Sequence, residues 1–171
     1  MALSSLKNKI ILKKTDKLLK NKNNSLQISK NIKTVGIIVN EDSGFSFELL
    51  KKLQRDIDSG SNNFSILTCK KKNDNYNEFR GVVIKDTDFS WKASLKSEAI
   101  KSYLNQPFDM LIDFTNNAEV YNNYLVAKSK AKFKVGYPNI DERLYDLMID
   151  SKSIKLFIDE LIKYLKILKK L

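Results

Sequence analysis

Apolar residues alternate along the chain between short continuous runs and longer stretches with helical spacing. The β-branched run TVGIIVN at 34–40 is typical of a strand that is buried on both faces. The next segment, FSFELLKKLQRDID at 45–58, has apolar residues every three or four positions, which predicts an amphipathic helix. FSILTCK at 64–70 then predicts a second strand. A strand, a helix and a strand at this spacing indicate parallel pairing through a right-handed crossover.

The same alternation continues to the end of the chain. Further strands are predicted at 82–85, 109–114, 132–137 and 144–150. Further helices are predicted at 94–104, 117–131 and 153–171. The inward residues of the last helix are expected to be Ile154, Ile158, Leu161, Leu165 and Leu168. Strands that alternate with helices in this way predict a three-layer, Rossmann-like α/β domain with a mainly parallel sheet.

Residues 3–22 also have helical spacing, and NKNNS at 21–25 ends the pattern. The apolar residues of one face are Ile11, Leu12, Leu18 and Leu19. The lysines of the opposite face are Lys9, Lys13, Lys17 and Lys20. We expect this helix to lie outside the main fold. The chain then divides into a basic N-terminal helix and linker at 1–33 and a single α/β domain at 34–171.

The net charge of +11 is concentrated at the two ends of the chain. Residues 1–33 contain nine lysines and only Asp16 as an acidic residue, and residues 152–171 contain six lysines against Asp159 and Glu160. The first segment therefore carries +8 and the second +4, which leaves −1 for residues 34–151. Basic ends on a nearly neutral body indicate an anionic partner. We expect RNA or the ribosome, and peripheral contact with a membrane surface is the weaker alternative.

A compositional explanation of the lysines stays open beside this one. Of the 31 basic residues, 28 are lysine and three are arginine, and asparagine is abundant. An A/T-rich genome produces the same excess of lysine and asparagine without any selection for binding. The scarcity of arginine also argues against sequence-specific reading of DNA, because arginine is the usual reader of guanine edges.

The residue types that are missing exclude several kinds of chemistry. The chain contains no histidine and one cysteine, Cys69, so histidine-dependent triads and a structural zinc site are not expected. The turn after the first strand reads NEDSGF instead of a glycine-rich phosphate loop. We therefore predict no cofactor, no metal and no catalytic residue. A single cysteine and the lack of a signal peptide or a long apolar stretch favour the cytoplasm.

Polar residues follow two of the predicted strands and form a candidate ligand crevice. They are Asn40, Glu41, Asp42, Asp113, Thr115 and Asn116. If the two strands are neighbours, these side chains meet at the carboxyl edge of the sheet and could hold Mg²⁺ or a polar ligand. The structural alternative is that Thr115 or Asn116 caps the next helix and that Asp113 accepts bonds from loop amides.

Two resemblances extend this reading. The segment FDMLIDFTNNAEVYNNYLVAKSKAKFKVGYPN at 108–139 resembles part of the N-terminal domain of heptosyltransferase-like glycosyltransferases, with Asp109, Asp113, Ala131 and Gly136 at matching positions. That resemblance implies a Rossmann-like fold. VGIIVNEDSGFSFELLKKL, AKFKVGY and YDLMID followed by FIDELIKYLKIL resemble an uncharacterised bacterial family, a domain of unknown function, which implies a cytoplasmic α/β domain.

Two functions from different classes follow from these observations. The first is a non-catalytic adaptor that docks on RNA or the ribosome through its basic terminal helices. The second is a module for a small ligand, related to nucleotide-sugar enzymes, that uses the crevice at the carboxyl ends of the strands. We favour the first, because no general base, nucleophile or phosphate loop supports an enzyme.

Overall fold

The computed structural model describes residues 2–22, 29, 31–41, 43–57, 63–70, 81–92, 94–115, 119–138 and 141–171. Its strands are β1 (Val35–Asn40), β2 (Phe64–Lys70), β3 (Val82–Lys85), β4 (Met110–Asp113), β5 (Lys134–Gly136) and β6 (Leu147–Met148). Its helices are α1 (Ala2–Lys20), α2 (Phe47–Ile57), α3 (Glu98–Asn105), α4 (Val120–Lys128) and α5 (Ile154–Ile167). Short 3-10 turns occur at Asp86–Asp88 and Glu142–Leu144.

Within the described residues, the six strands form one parallel sheet in the order β3-β2-β1-β4-β5-β6. This is the strand order of dinucleotide-binding Rossmann folds. Helices cover both faces of the sheet, so the predicted three-layer α/β architecture is confirmed. The central strand β1 is buried along its whole length, as expected for a β-branched run between two helical layers.

The apolar core is divided by the sheet into two layers. Val35, Ile37 and Val39 of β1 face α2 and α5 and belong to the first layer. Ile38 faces the opposite side and packs with residues of α1, α3 and α4 in the second layer. Successive residues of a strand point to opposite faces, and this alternation later decides where the polar residues at the strand ends lie.

Helix α1 packs against α4 and does not lie apart from the α/β domain. Ile11 is fully buried and Leu19 is 5% exposed, and both belong to the layer that contains α3 and α4. Thr15 lies between them on the same side, and its hydroxyl donates to the carbonyl of Ile11 at 2.9 Å. Leu12 is 50% exposed, so its predicted place on the apolar face is wrong. The buried line follows positions 11, 15 and 19, which meet α4, and Leu12 is rotated away from that contact.

The last helix has the predicted apolar stripe, with one correction at its end. Ser153 caps α5 by accepting the backbone N–H of Leu156 at 3.3 Å. Leu161 and Leu165 are fully buried, but Leu168 is 44% exposed. The helix has already ended at Ile167, so Leu168 no longer faces the sheet.

The predicted strand at 144–150 is much shorter in the structure, where β6 is Leu147–Met148. Asp146, directly before β6, forms two hydrogen bonds with the backbone of Lys134. Its own N–H donates to the carbonyl of Lys134 at 2.8 Å, and its carboxylate accepts the N–H of Lys134 at 2.8 Å. The carboxylate of Asp146 thus replaces one backbone acceptor of the hydrogen-bond ladder between β5 and β6.

Candidate functional site at the carboxyl edge of the sheet

The chain changes direction across the sheet between β1 and β4. It passes from β1 to β2 and β3 on one side and then returns to β4 on the other side of β1. In open parallel sheets, ligands bind beyond the carboxyl ends of the strands at such a point. Asn40 ends β1 and Asp113 ends β4, and Ile38 is the register partner of Asp113. The two strands are therefore neighbours, which the predicted crevice required.

Asp113 is enclosed by protein groups and is only 1% exposed. Its Oδ1 accepts the backbone N–H of Thr115 at 2.9 Å and the Thr115 hydroxyl at 2.6 Å. Its Oδ2 accepts the hydroxyl of Tyr145 at 2.7 Å. Burial raises the pKa of Asp113 to about 6, although these three bonds act in the opposite direction. The carboxyl group of Asp113 therefore fixes the loop after β4, because its three hydrogen bonds join it to Thr115 and Tyr145.

The hydroxyl of Tyr145 reaches Asp113 because the Tyr145 ring packs directly on Gly136, which has no side chain. The ring of Tyr145 covers Gly136 at the end of β5, and a Cβ added to this glycine would overlap the ring. A side chain at position 136 would therefore push Tyr145 away from Asp113. Sequence reasoning missed Tyr145, which lies after β5 in a loop that carries no motif. The glycine that ends β5 was the only available signal.

Aromatic rings bridge the loops on the α2 and α5 side of this edge. Phe45, in the loop after β1, stacks on Phe114, directly after β4, with ring centroids 4.9 Å apart. Phe114 also contacts Phe157 of α5 at 5.3 Å, and Phe157 contacts Tyr137 at 4.7 Å. All four rings are buried. These rings form one buried aromatic cluster that joins the loops after β1, β4 and β5 to α5.

Asn40 lies on the other side of the sheet, the side covered by α4. Its Oδ1 accepts the Nδ2 of Asn122 of α4 at 3.1 Å, and both residues are buried. Sequence reasoning did not single out Asn122. It lies in the segment YNNY, where its polar character concealed that it faces the sheet like its neighbours Tyr124 and Leu125.

The remaining predicted crevice residues are Glu41, Asp42, Thr115 and Asn116. Glu41 has an exposed side chain, and its backbone N–H donates to the carbonyl of Cys69 at 3.2 Å. Thr115 is buried and bonded to Asp113, and the N-cap of α4 is Glu119, so the capping role considered for Thr115 is wrong. Asp42 and Asn116 lie outside the described residues.

A pocket lies next to the Asn40–Asn122 pair, beyond the ends of β1, β2 and β3. It is small, with an accessible volume of about 20 Å³, close to the space that one water molecule needs. We call it the α4 pocket, and its walls include Asn40, Asn122, Lys70, Lys85, Cys69 and Phe89. Lys70 is the last residue of β2, and its exposed fraction is only 6%. The pocket therefore combines amides, ammonium groups and apolar side chains in a small space.

The predicted lysines of α1 are all exposed. We call Lys9, Lys13, Lys17 and Lys20 the lysine face, and it is opposite the buried line of Ile11, Thr15 and Leu19. Lys20 forms an ion pair with Asp16 at 2.7 Å. The carboxylate of Asp16 is also bound by Arg143 at 3.1 Å, and the bonds from Lys20 and Arg143 lower the pKa of Asp16.

Contacts at both ends hold α1 in place. The ammonium group of Lys7 lies 5.3 Å from the ring centroid of Tyr121 and 5.8 Å from that of Phe89. Beyond the other end of the helix, Lys22 pairs with Asp146 at 2.7 Å. The lysine face is thus presented by a fixed helix.

Neither a metal site nor a membrane span is found in the part of the chain that the structure describes. Those residues include no group of three or more histidine, cysteine or acidic side chains that could hold a metal ion. None of the described helices is long and apolar enough to cross a bilayer.

These features define a Rossmann-like α/β domain with a buried aromatic cluster between the loops that follow β1 and β4. Residues 7–168 match a family of unknown function (DUF6913), and the chain belongs to that family. The matched range runs from within α1 to just beyond α5, and so it includes both basic terminal helices. No curated protein and no solved structure matches the chain.

Proposed function

We propose that this protein is a non-catalytic adaptor that docks on RNA, with the ribosome as the expected partner, through the lysine face of α1. The observation that supports this proposal is the exposure of all four lysines on a helix whose other side is buried. A helix rises about 1.5 Å per residue, so the face from Lys9 to Lys20 extends over roughly 16 Å. A nucleic acid duplex presents several phosphates over that length.

The fixed position of α1 favours binding by this face. Asp16, Lys22 and Lys7 tie the helix to the body of the protein through Arg143, Asp146 and the Tyr121 ring. Side chains on an ordered helix lose less conformational entropy on binding than side chains on a flexible tail.

The sequence suggested that both basic ends bind the same partner, and the structure favours α1 as the docking element. Helix α1 packs on one side of the sheet with α3 and α4, whereas α5 packs on the other side with α2. A flat anionic surface cannot contact the outer sides of both helices at once. The lysines of α5 are therefore a natural control for those of α1.

The test replaces Lys9, Lys13, Lys17 and Lys20 together by glutamine, which keeps the helix propensity nearly constant. Binding to a short RNA duplex and to purified ribosomes is measured over a range of salt concentrations. The slope of log K against log salt should shrink by roughly three to four units if all four lysines contact duplex phosphates. The melting temperature should barely move, because exposed lysines contribute little to stability.

The matched control replaces Lys152, Lys155, Lys163 and Lys166, four exposed lysines at the opposite side of the sheet, by glutamine. The same number of charges is removed, so a general effect of net charge would weaken binding equally in both variants. An equal loss, or an unchanged salt slope in the α1 variant, would refute the lysine face as a docking element. The lysine excess would then reflect base composition.

Contact with an anionic membrane is a second candidate, favoured by one observation. Leu6 and Leu12 are 51% and 50% exposed on α1. Lysines beside exposed leucines suit the headgroup region of an anionic bilayer. Replacement of Leu6 and Leu12 by serine should reduce binding to phosphatidylserine vesicles and leave RNA binding unchanged. Loss of RNA binding in this variant, with vesicle binding intact, would contradict the membrane candidate.

The relation of 108–139 to heptosyltransferase-like enzymes stays a prediction. Asp113, one of the residues that carry the resemblance, is buried and bonded to Thr115 and Tyr145. Asp109 holds the segment before β1, since its Oδ2 accepts the backbone N–H groups of Lys33 at 3.0 Å and Thr34 at 3.1 Å. These bonds support structural roles for both carboxyl groups.

A further inference from the structure

We propose that the indole of Trp91 stacks on an unpaired base of the RNA that the lysine face of α1 binds. This inference rests on the proposed docking function and specifies the partner as RNA in which an unpaired nucleotide adjoins the phosphates at α1. Trp91 is the single tryptophan of the chain and is 66% exposed. It belongs to a turn formed by residues 88–92 and 94–96, which we call the tryptophan turn.

The two sides of the tryptophan turn are bonded to each other. The backbone N–H of Lys96 donates to the carbonyl of Asp88 at 2.9 Å, and the backbone N–H of Ser90 donates to the carbonyl of Ser94 at 2.9 Å. The hydroxyls of Ser90 and Ser94 lie 2.6 Å apart, within hydrogen-bond distance. Trp91 directly follows Ser90, so its backbone is held at the tip of an ordered turn.

Buried side chains anchor the base of the tryptophan turn in the core. Phe89 and Leu95 are 3% and 6% exposed, and they pair across the turn as an antiparallel bridge. Phe89 also packs on Tyr121 and Tyr124 of α4, with ring centroids 4.9 Å and 6.0 Å apart. The indole of Trp91 is therefore exposed on a turn that is itself fixed. An aromatic side chain in a fixed position loses little conformational entropy when a ligand stacks on it.

The tryptophan turn lies against the flank of α1. The ammonium group of Lys14 donates to the carbonyl of Lys92 at 2.6 Å, and Lys92 directly follows Trp91. Lys17 follows Lys14 by three residues, so these two lysines are neighbours on the surface of the helix. Because Lys17 belongs to the lysine face, the tryptophan turn borders the surface that is proposed to bind phosphates.

The groups around the indole match the chemistry of a nucleotide. The ammonium group of Lys92 lies 4.8 Å from the centroid of the Trp91 ring. A nucleotide joins a flat aromatic base to an anionic phosphate, and these two parts are attracted by an aromatic ring and by lysines beside it. Bases of a duplex are paired and stacked on each other, so a base that stacks on a side chain comes from a loop, a bulge or a single strand.

Trp91 reports on its own occupancy, because no other tryptophan contributes to the fluorescence. The full chain is titrated with a short oligouridylate and with an abasic oligomer of the same length, which has the same backbone charge and no bases. We expect saturable quenching of the indole emission by the oligouridylate and little quenching by the abasic oligomer. Equal quenching by both oligomers would show that the backbone alone causes it, and this result would overturn the stacking site.

The affinity of each oligomer is measured independently by the anisotropy of a label at its end. Trp91→Ala should weaken the binding of oligouridylate by about 5- to 150-fold, because one base loses its stacking partner. Binding of the abasic oligomer and the slope of log K against log salt should not change, since no charge is removed. Trp91→Phe should keep part of the affinity. The melting temperature of both variants should stay near that of the parent, because the side chain is exposed.

The matched control is another exposed aromatic residue with a lysine over its ring. Phe47 is 52% exposed, and the ammonium group of Lys51 lies 4.7 Å from its ring centroid. It belongs to α2, which packs on the side of the sheet opposite to α1. Phe47→Ala should therefore bind oligouridylate like the parent, and a loss equal to that of Trp91→Ala would refute a specific role for the tryptophan.

The variants separate the stacking site from the docking function. If the four-lysine variant of α1 loses affinity for oligouridylate and Trp91→Ala does not, docking by α1 stands and the stacking site is overturned, which would point to a protein partner for Trp91. If Trp91→Ala loses affinity and the four-lysine variant does not, the stacking site stands and docking by the lysine face fails. The absence of RNA binding by the parent would overturn both.

Discussion

The two sides of the sheet differ sharply at its carboxyl edge, although the same strands supply both. On the side of α2 and α5, Phe45 and Phe114 stack and join the loops that follow β1 and β4. On the side of α4, Asn40 meets Asn122 and an open pocket continues beside Lys70. Neighbouring residues of one strand point to opposite sides, so Asp113 and Phe114 contribute to different surfaces. Asn40 and Asp113 both lie on the side of α4, yet only Asn40 lines the pocket, because Thr115 and Tyr145 enclose Asp113.

The largest expected effect concerns the side of α2 and α5, where Phe114 lies. Phe114→Ala removes a fully packed ring and leaves a cavity next to Phe45 and Phe157, so the free energy of unfolding should fall by about 3–5 kcal/mol. Denaturant unfolding followed by fluorescence or circular dichroism measures this loss. Phe47→Ala is the matched control, since Phe47 is 52% exposed and its removal should cost less than about 0.5 kcal/mol. A Phe114→Ala variant as stable as the parent would show that the rings do not form a packed cluster.

The second prediction uses pH to test how tightly Asp113 is enclosed. Its pKa is raised from 3.8 to about 6 by burial. The folded protein thus binds this proton more tightly than the unfolded chain, and the resulting stability is present below about pH 3.8 and lost as the pH rises through about 6. Asp113→Asn should remove this loss. Relative to the parent, its free energy of unfolding should improve by about 3 kcal/mol between about pH 4 and pH 7.

Asp109, at the other end of β4, is the matched control with the opposite sign. Burial opposes ionisation of Asp109, but bonds from Lys132, Ser29 and the N–H groups of Lys33 and Thr34 outweigh it and lower its pKa well below 3.8. Its contribution is therefore present above about pH 3.8 and lost as the pH falls. The Asp109→Asn variant should be destabilised at neutral pH and approach the parent in acid. Parallel pH profiles for the two variants would contradict the different surroundings described for these carboxyl groups.

The smallest effect is expected on the side of α4, for the Asn40–Asn122 pair. Asn122→Ala leaves the buried amide oxygen of Asn40 without this bond, which should lower the free energy of unfolding by about 1–3 kcal/mol. The double variant Asn40→Ala, Asn122→Ala should lose less than the sum of the two single variants, because the amides interact directly. Chemical denaturation of the four proteins measures this coupling. Strict additivity would mean that the amide pair does not form in solution.

The fold could be predicted from the sequence because it depends on signals that are local. The β-branched run of β1 and the steps of four and three in α5 define which elements form, and their alternation implies the parallel sheet. The error at Leu12 shows the limit of this reasoning. Helical spacing alone allowed two neighbouring faces of α1 to be the buried one, and the contact with α4 chose between them.

The candidate site was predictable only in part, since its partners come from distant segments. Asn40 and Asp113 were found because they end strands. Asn122 and Tyr145 were missed because their roles depend on how α4 and the loop after β5 pack against those strand ends. The distances in sequence, 82 residues between Asn40 and Asn122 and 32 between Asp113 and Tyr145, leave no local pattern to read.

The position of α1 has a consequence for the order in which the protein folds. Helix α1 is synthesised before the strands of the sheet, yet Arg143, which binds Asp16, lies 127 residues further along, and Asp146, which binds Lys22, lies 124 residues further. These contacts close only after most of the chain has left the ribosome, and contacts between such distant segments form slowly. Ile11 and Leu19 pack in the layer of α4, so the nascent chain carries them uncovered at least until residues 120–128 have been made. We therefore expect α1 to become resistant to proteolysis only after α4 has packed against the sheet.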